Sequence, residues 1–161
     1  MLQSPALHAL RRVALVLLAV GTLAGPSAAA APPAGAPPRV VFVGPRGEVP
    51  VGVEVARTPF ELQVGYMYRL YVPPYGGMLF VMPSQRLQGF WMRNTVASLD
   101  MIFVDDERRV VGIVHRATPL TDDLRFVRRA SRFVVEVAGG FARQAGIAVG
   151  DAVRFEGVEE P

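Results

Sequence analysis

From about residue 39 onward, short β-branched runs alternate with turn-forming residues, a rhythm that predicts strands rather than long helices. Val40 to Val43 and Val49 to Ala56 are two such runs, and the Gly44-Pro45-Arg46-Gly47 between them predicts a hairpin. In the second run Val51, Val53 and Val55 alternate with Gly52, Glu54 and Ala56, the period of a strand buried on one face. Further strands are predicted at Met78 to Val81, Gln88 to Met92, Leu99 to Val104, Arg109 to His115, Arg132 to Val137 and Ala152 to Phe155. The run from Leu99 is nearly all apolar, which predicts a central strand covered on both faces.

Only two segments read as helical. Thr58-Pro59-Phe60-Glu61 writes a helix start: Thr as N-cap, Pro at the first helical position and Glu placed to complete a capping box. That helix is expected to end between Gly65 and Tyr68, before Pro73, Pro74, Gly76 and Gly77 impose a loop. Gly139 to Ala145 is expected to form the second helix, stopped by Gly146. Many short strands with two short helices predict a mainly β domain, a small barrel or a strongly curled sheet, with no internal repeat.

The first thirty residues follow different rules. Arg11 and Arg12 form a basic start, Val13 to Ala24 an apolar run, and Ser27-Ala28-Ala29-Ala30 a small-residue exit, the three zones of a cleavable export signal. Cleavage is expected after Ala30, because cutting after Ala31 would put Pro32 behind the scissile bond. The apolar run is short of the roughly 20 residues that a membrane span needs. The expected organisation is therefore a signal peptide at 1–30, a Pro- and Ala-rich spacer at 31–38 and one domain at 39–161. The product would be periplasmic or secreted, without a stable membrane span.

At 161 residues with 51% hydrophobic and 19% charged content, the chain can build a real core. All 17 basic residues are arginine; two precede Ala30, while all 14 acidic residues follow it. The exported part is thus close to neutral, and nothing in its charge points to nucleic acid. The chain has no cysteine and no lysine, and His115 is the one imidazole beyond the signal. Disulfides, thiol catalysis, Schiff-base chemistry and the usual triad and zinc recipes all lack an ingredient.

The segments Gly77-Met78-Leu79-Phe80-Val81, Phe90-Trp91-Met92-Arg93-Asn94-Thr95 and Leu99-Asp100-Met101-Ile102-Phe103-Val104 resemble the family catalogued as domain of unknown function 192. Ala117-Thr118-Pro119 and the closing Ala145-Gly146-Ile147-Ala148-Val149-Gly150-Asp151 extend the resemblance in the right order over roughly residues 50 to 155. The resemblance implies a compact β-rich domain, often secreted, with no established reaction. Two departures stand out: Ser98 where the family usually has proline, and Arg125 to Arg129 in place of a Tyr-Pro-containing stretch.

Trp91, Arg93, Asn94, Thr95 and Asp100 gather an aromatic ring, a guanidinium, an amide, a hydroxyl and a carboxylate within ten residues. If Gln88 to Met92 is a strand, Trp91 and Arg93 share one face, a stacking platform beside an anion-binding fork suited to a sugar, a carboxylate or a peptide end. Asp122, in the loop that follows, could join them. The architectural alternative has Trp91 packing, Arg93 paired with Asp100, and Asn94-Thr95 capping a turn.

Other features carry weaker expectations. Met67, Met78, Met82, Met92 and Met101, with His115, raise a Cu(I) site, but their placement in apolar strands favours core packing, and no metal or cofactor is expected. Asp122-Asp123 falls short of a calcium loop. Arg125, Arg128, Arg129 and Arg132 read as a solvated basic surface. The expected function is a non-catalytic binding or accessory module working through Trp91 to Asp100 on a small ligand or envelope component. The alternatives are a carboxylate-based enzyme on envelope glycans or peptides, using Asp100 and Asp122, and a structural partner of another envelope protein.

Overall fold

A computed structural model describes residues 37–159; the expected signal peptide and most of the spacer lie outside the described residues. The described chain runs β1 (Arg39–Gly44), β2 (Gly47–Ala56), α1 (Pro59–Val64), β3 (Gly76–Arg86), β4 (Gly89–Phe90), β5 (Leu99–Val104), β6 (Val110–Ala117), β7 (Arg125–Phe126), β8 (Ser131–Ala138), α2 (Phe141–Ala145) and β9 (Ala152–Glu156). Seven strands form one strongly curled sheet in the order β6-β5-β8-β3-β2-β1-β9, and β4 pairs with β7 in a separate ribbon. Every pair in the large sheet is antiparallel except β2 with β3. That parallel pair needs a crossover, which α1 and the residue 65–75 connection provide. The two edges meet at one end, where Arg109 bridges Ala152 and the Val153 N–H donates to Arg108 O at 2.8 Å.

The alternation along the strands sorts the apolar side chains into two cores. Val40, Phe42, Val51, Leu79, Ile102, Val135 and Val153 fill one side of the curled sheet together with Ala142 of α2. Met78, Phe80, Met101, Phe103 and Val134 face the other side, where Tyr66, Val72 and Met92 cover them. Each fully buried Val, Leu or Phe contributes about 1.5–3 kcal/mol relative to exposure. All six residues of β5 are buried, as a strand between two covered faces requires.

Local signals decided several element ends. At α1 the Thr58 side chain accepts the Glu61 N–H, and the Glu61 carboxylate accepts the Thr58 N–H at 2.8 Å, closing the capping box. The helix ends at Val64, one turn earlier than the furthest expectation, because Gly65 takes φ 47° and ψ −125°. The second helix starts at Phe141 rather than Gly139, since Gly140 is left-handed at φ 96°.

Two strand expectations need correction, and one short strand was not expected. β3 continues past Val81 to Arg86 through a register shift against β8. The strand expected over Gln88 to Met92 shrinks to Gly89–Phe90, because its partner β7 is only two residues long and the Met92 N–H leaves the ladder for Thr121 O at 3.0 Å. β7 itself lies within the stretch read as a basic surface.

Candidate functional site

The segment after β4 is held from two sides. The Tyr68 N–H donates to Asn94 O at 2.8 Å, the Leu120 N–H to Thr95 O at 3.1 Å and the Thr95 N–H to Met92 O at 3.1 Å. Asn94 sits at φ 56°, and its side-chain amide donates to the Tyr68 hydroxyl at 2.8 Å. Phe90 and Met92 point into the second core, where Phe90 meets Phe80 and Phe103 edge to face. Trp91 and Arg93 take the opposite direction, with the guanidinium carbon 4.4 Å from the Trp91 ring centroid.

The two halves of the expected anion site thus engage each other. Arg93 Nε also donates to Asp122 Oδ1 at 2.8 Å, so the fork already holds a carboxylate. That hydrogen bond keeps the Asp122 carboxyl below its ordinary range and Arg93 above its own. The architectural alternative paired Arg93 with Asp100; Asp122 takes that place instead.

Asp100 belongs to a different part of the molecule. It is 0% exposed, and its Oδ1 accepts the N–H groups of Arg116 at 2.7 Å and Gly140 at 2.8 Å. Its Oδ2 accepts the Ala142 N–H at 2.9 Å, and His115 Nδ1 lies 3.7 Å away. Asp100 therefore fastens β6 and the start of α2 to β5 and offers no oxygen to solvent. The structure therefore does not bring Asp100 to the cavity that Trp91 and Thr95 line.

Beneath Trp91 lies a cavity of about 210 Å³. Leu62 to Met67 form one wall, Gly89 to Trp91 the other, Thr95 and Leu124 close the sides, and Phe80 and Glu136 line the interior. Thr95 is buried, and its hydroxyl donates to Arg93 O at 3.2 Å. Of the candidates read from the sequence, Trp91 and Thr95 line the cavity, Arg93 and Asn94 brace the segment that carries them, and Asp122 anchors Arg93.

Glu136 is the functional candidate that the sequence reading missed. It occupies β8 directly opposite Met78 of β3 and Met101 of β5, and only 4% of it is exposed. No side chain of the described residues forms an ion pair with it, and burial alone pushes its carboxyl up to about 8. The sequence did hold a signal: Glu136 interrupts the apolar run Phe133-Val134-Val135-Glu136-Val137, and an acid in the middle of a central strand must be buried.

The methionines converge on the same core. Met78, Met92 and Met101 are buried in it, Met82 packs against it, and Met67 lines the cavity. Among the described residues no group of three or more His, Asp or Glu is placed to hold a metal ion.

Residues 41–155 match the family model DUF192, described as an uncharacterized ACR. The chain belongs to the DUF192 family. Two solved structures share the fold. One, a candidate transcription regulator from Sinorhizobium meliloti 1021, superposes with a TM-score of 0.72 at 30% identity over 75% of this chain and 95% of its own. The other, a protein of unknown function from Novosphingobium aromaticivorans DSM 12444, gives 0.71 at 35% identity over 80% of this chain and 94% of its own. No curated protein matches the sequence. Within this DUF192 domain, Phe90 to Thr95, which carries the sequence resemblance, is the segment that walls and braces the cavity.

Proposed function

We propose that this DUF192 protein is an exported, non-catalytic binding module whose ligand enters the cavity between Trp91 and the end of α1. One observation carries the reading: Glu136, a buried carboxyl with no cation paired to it among the described residues, lines an aromatic-walled cavity of about 210 Å³ that opens beside the chain's single tryptophan. Burial penalises the charged form of an acid that lacks a counter-charge among the described residues, and a ligand in the space above it can supply that charge. A space of about 210 Å³ fits a small ligand or the end of a larger one.

The test is thermal unfolding of the protein, expressed from the whole gene and purified in the form that accumulates, against sugars, peptides, carboxylates, amines and metal ions. A binding module shows at least one class that raises Tm for the parent and not for Trp91→Ala, since selective binding to the native state stabilises it. A panel that leaves the parent unmoved overturns the reading. Export is checked on the same material: an N-terminus at Ala31 in the periplasmic fraction supports it, and an intact Met1 in the cytosol overturns it.

A second reading, contact with another envelope protein, is favoured by one observation. Tyr68, Leu70, Tyr71 and Tyr75 of the residue 65–75 connection are all more than half exposed, an unusual concentration of large apolar side chains in solvent. A sedimentation profile and cross-linking pattern that change with Leu70→Asp and Tyr71→Asp together would support it, and unchanged profiles would remove it.

A further inference from the structure

The chemistry around Glu136 restricts what the cavity can take, if it is a binding site as proposed above. The carboxyl is faced from both neighbouring strands, from the end of α1 and from β4. β3 contributes Met78 and Phe80, and β5 contributes Met101. The end of α1 brings Gly65, where a Cβ would stand 3.6 Å from Glu136 Oε2, and Tyr66; β4 and the turn after it bring Phe90 and Trp91. Tyr66 is the other titratable group, and burial pushes its phenol up to about 12, so it stays neutral. The nearby guanidinium, Arg69, stacks on the Tyr66 ring at 5.3 Å but donates to Glu54 at 2.8 Å. Among the described residues the cavity therefore offers one carboxyl, four aromatic rings (Tyr66, Phe80, Phe90 and Trp91) and no positive charge.

We infer that the cavity takes a small organic ammonium ion, with Glu136 as its counter-ion and the aromatic walls as its cage. Aromatic faces attract cations through their quadrupoles, most strongly where water is excluded. Trp91 already does this with Arg93, which does not line the cavity. A cation entering beside Glu136 converts an uncompensated buried acid into an ion pair, whereas an anion would meet a carboxylate and ring electrons. A neutral apolar ligand would fill the space and leave the acid unpartnered. Binding a cation draws the proton off Glu136, so affinity rises with pH until the carboxyl is ionised in the free protein.

Trp91, as the single tryptophan, reports occupancy by its fluorescence. Three probes of similar shape separate the possibilities: tetramethylammonium, which has no proton of its own, tert-butanol and pivalate. Tetramethylammonium is expected to bind tightest, to lose at least about tenfold in affinity in Glu136→Gln, and to lose about tenfold per pH unit below pH 8 in the parent only. tert-Butanol is expected to bind both proteins alike. Equal tetramethylammonium affinity for parent and Glu136→Gln overturns the inference, as does tighter binding of tert-butanol or pivalate. If none of the three binds while another compound of the thermal panel does, the ammonium class falls and the binding module stands. If that panel is also silent, both fall.

Discussion

Asp100 Oδ1 accepts the N–H of Gly140 at 2.8 Å, joining the central strand β5 to the residue on which α2 begins. Together with the bonds from Arg116 and Ala142, it gives a fully buried carboxylate three backbone donors. Asp100→Asn keeps the volume but turns an amide N–H toward groups that can only donate. The expected loss is about 3 kcal/mol or more in denaturant unfolding, because hydrogen bonds to a buried charge are the costly ones to break. A loss under about 1 kcal/mol would mean that the fold tolerates α2 unfastened.

Glu136 makes stability depend on pH with an unusual sign. Its folded-state pKa, about 8, lies above the ordinary 4.5, so the native state holds a proton that the unfolded chain gives up. Its contribution is fully present below pH 4.5, is lost progressively as pH rises to about 8, and is constant above that. The full loss is on the order of 5 kcal/mol. Glu136→Gln is expected to be more stable than the parent at pH 9, with the difference shrinking toward pH 5, measured by urea unfolding at each pH. Parallel curves for the two proteins would contradict the burial of an ionisable group there.

Gly65 is fixed by two constraints. Its φ of 47° with ψ of −125° is a conformation that L side chains rarely adopt, and an added Cβ would stand 2.9 Å from the Phe80 ring. Gly65→Ala is expected to cost about 1–3 kcal/mol and to narrow the cavity beside Glu136. Retained stability together with unchanged probe binding in the fluorescence titration would contradict this.

The Arg93–Asp122 pair is exposed, at 47% and 66% of the two side chains, and holds geometry rather than stability. Asp122→Asn is expected to leave the unfolding midpoint unchanged while shifting Trp91 emission, because the guanidinium over the ring loses its anchor. Since the Asp122 carboxyl titrates below its ordinary 3.8, the pair's contribution is present at all higher pH and is lost only as pH falls through that lowered value. In Glu136→Gln, which removes the carboxyl titrating at about 8 beneath the ring, Trp91 emission should be constant above pH 4 and change below it; a change near pH 6 would implicate another group.

Much of the site was legible residue by residue but not in its connections. The Trp91–Arg93 face followed from alternation, which survives past the two residues of β4 that are hydrogen-bonded as strand. The partner of Arg93 did not follow, because Asp100 and Asp122 are equally acidic on paper. Only the path of β5 into the centre of the sheet, and of residues 118–123 across the top of the Trp91 segment, separates them. β7 escaped notice for a related reason: two residues paired with two others carry no periodicity to read.

What the sequence by itself determined is what depends on neighbours along the chain. Strand period, the Thr58–Glu61 capping box, the glycine stops and the family's segments all act within a few residues. The tertiary structure alone decided which side chains meet across the sheet. β8 inserts between β3 and β5, and that insertion puts Glu136 between Met78 and Met101, under Trp91, rather than in water. A carboxyl's chemistry is set by the dielectric and the charges around it, and those come from residues as far away in sequence as Gly65 and Phe80.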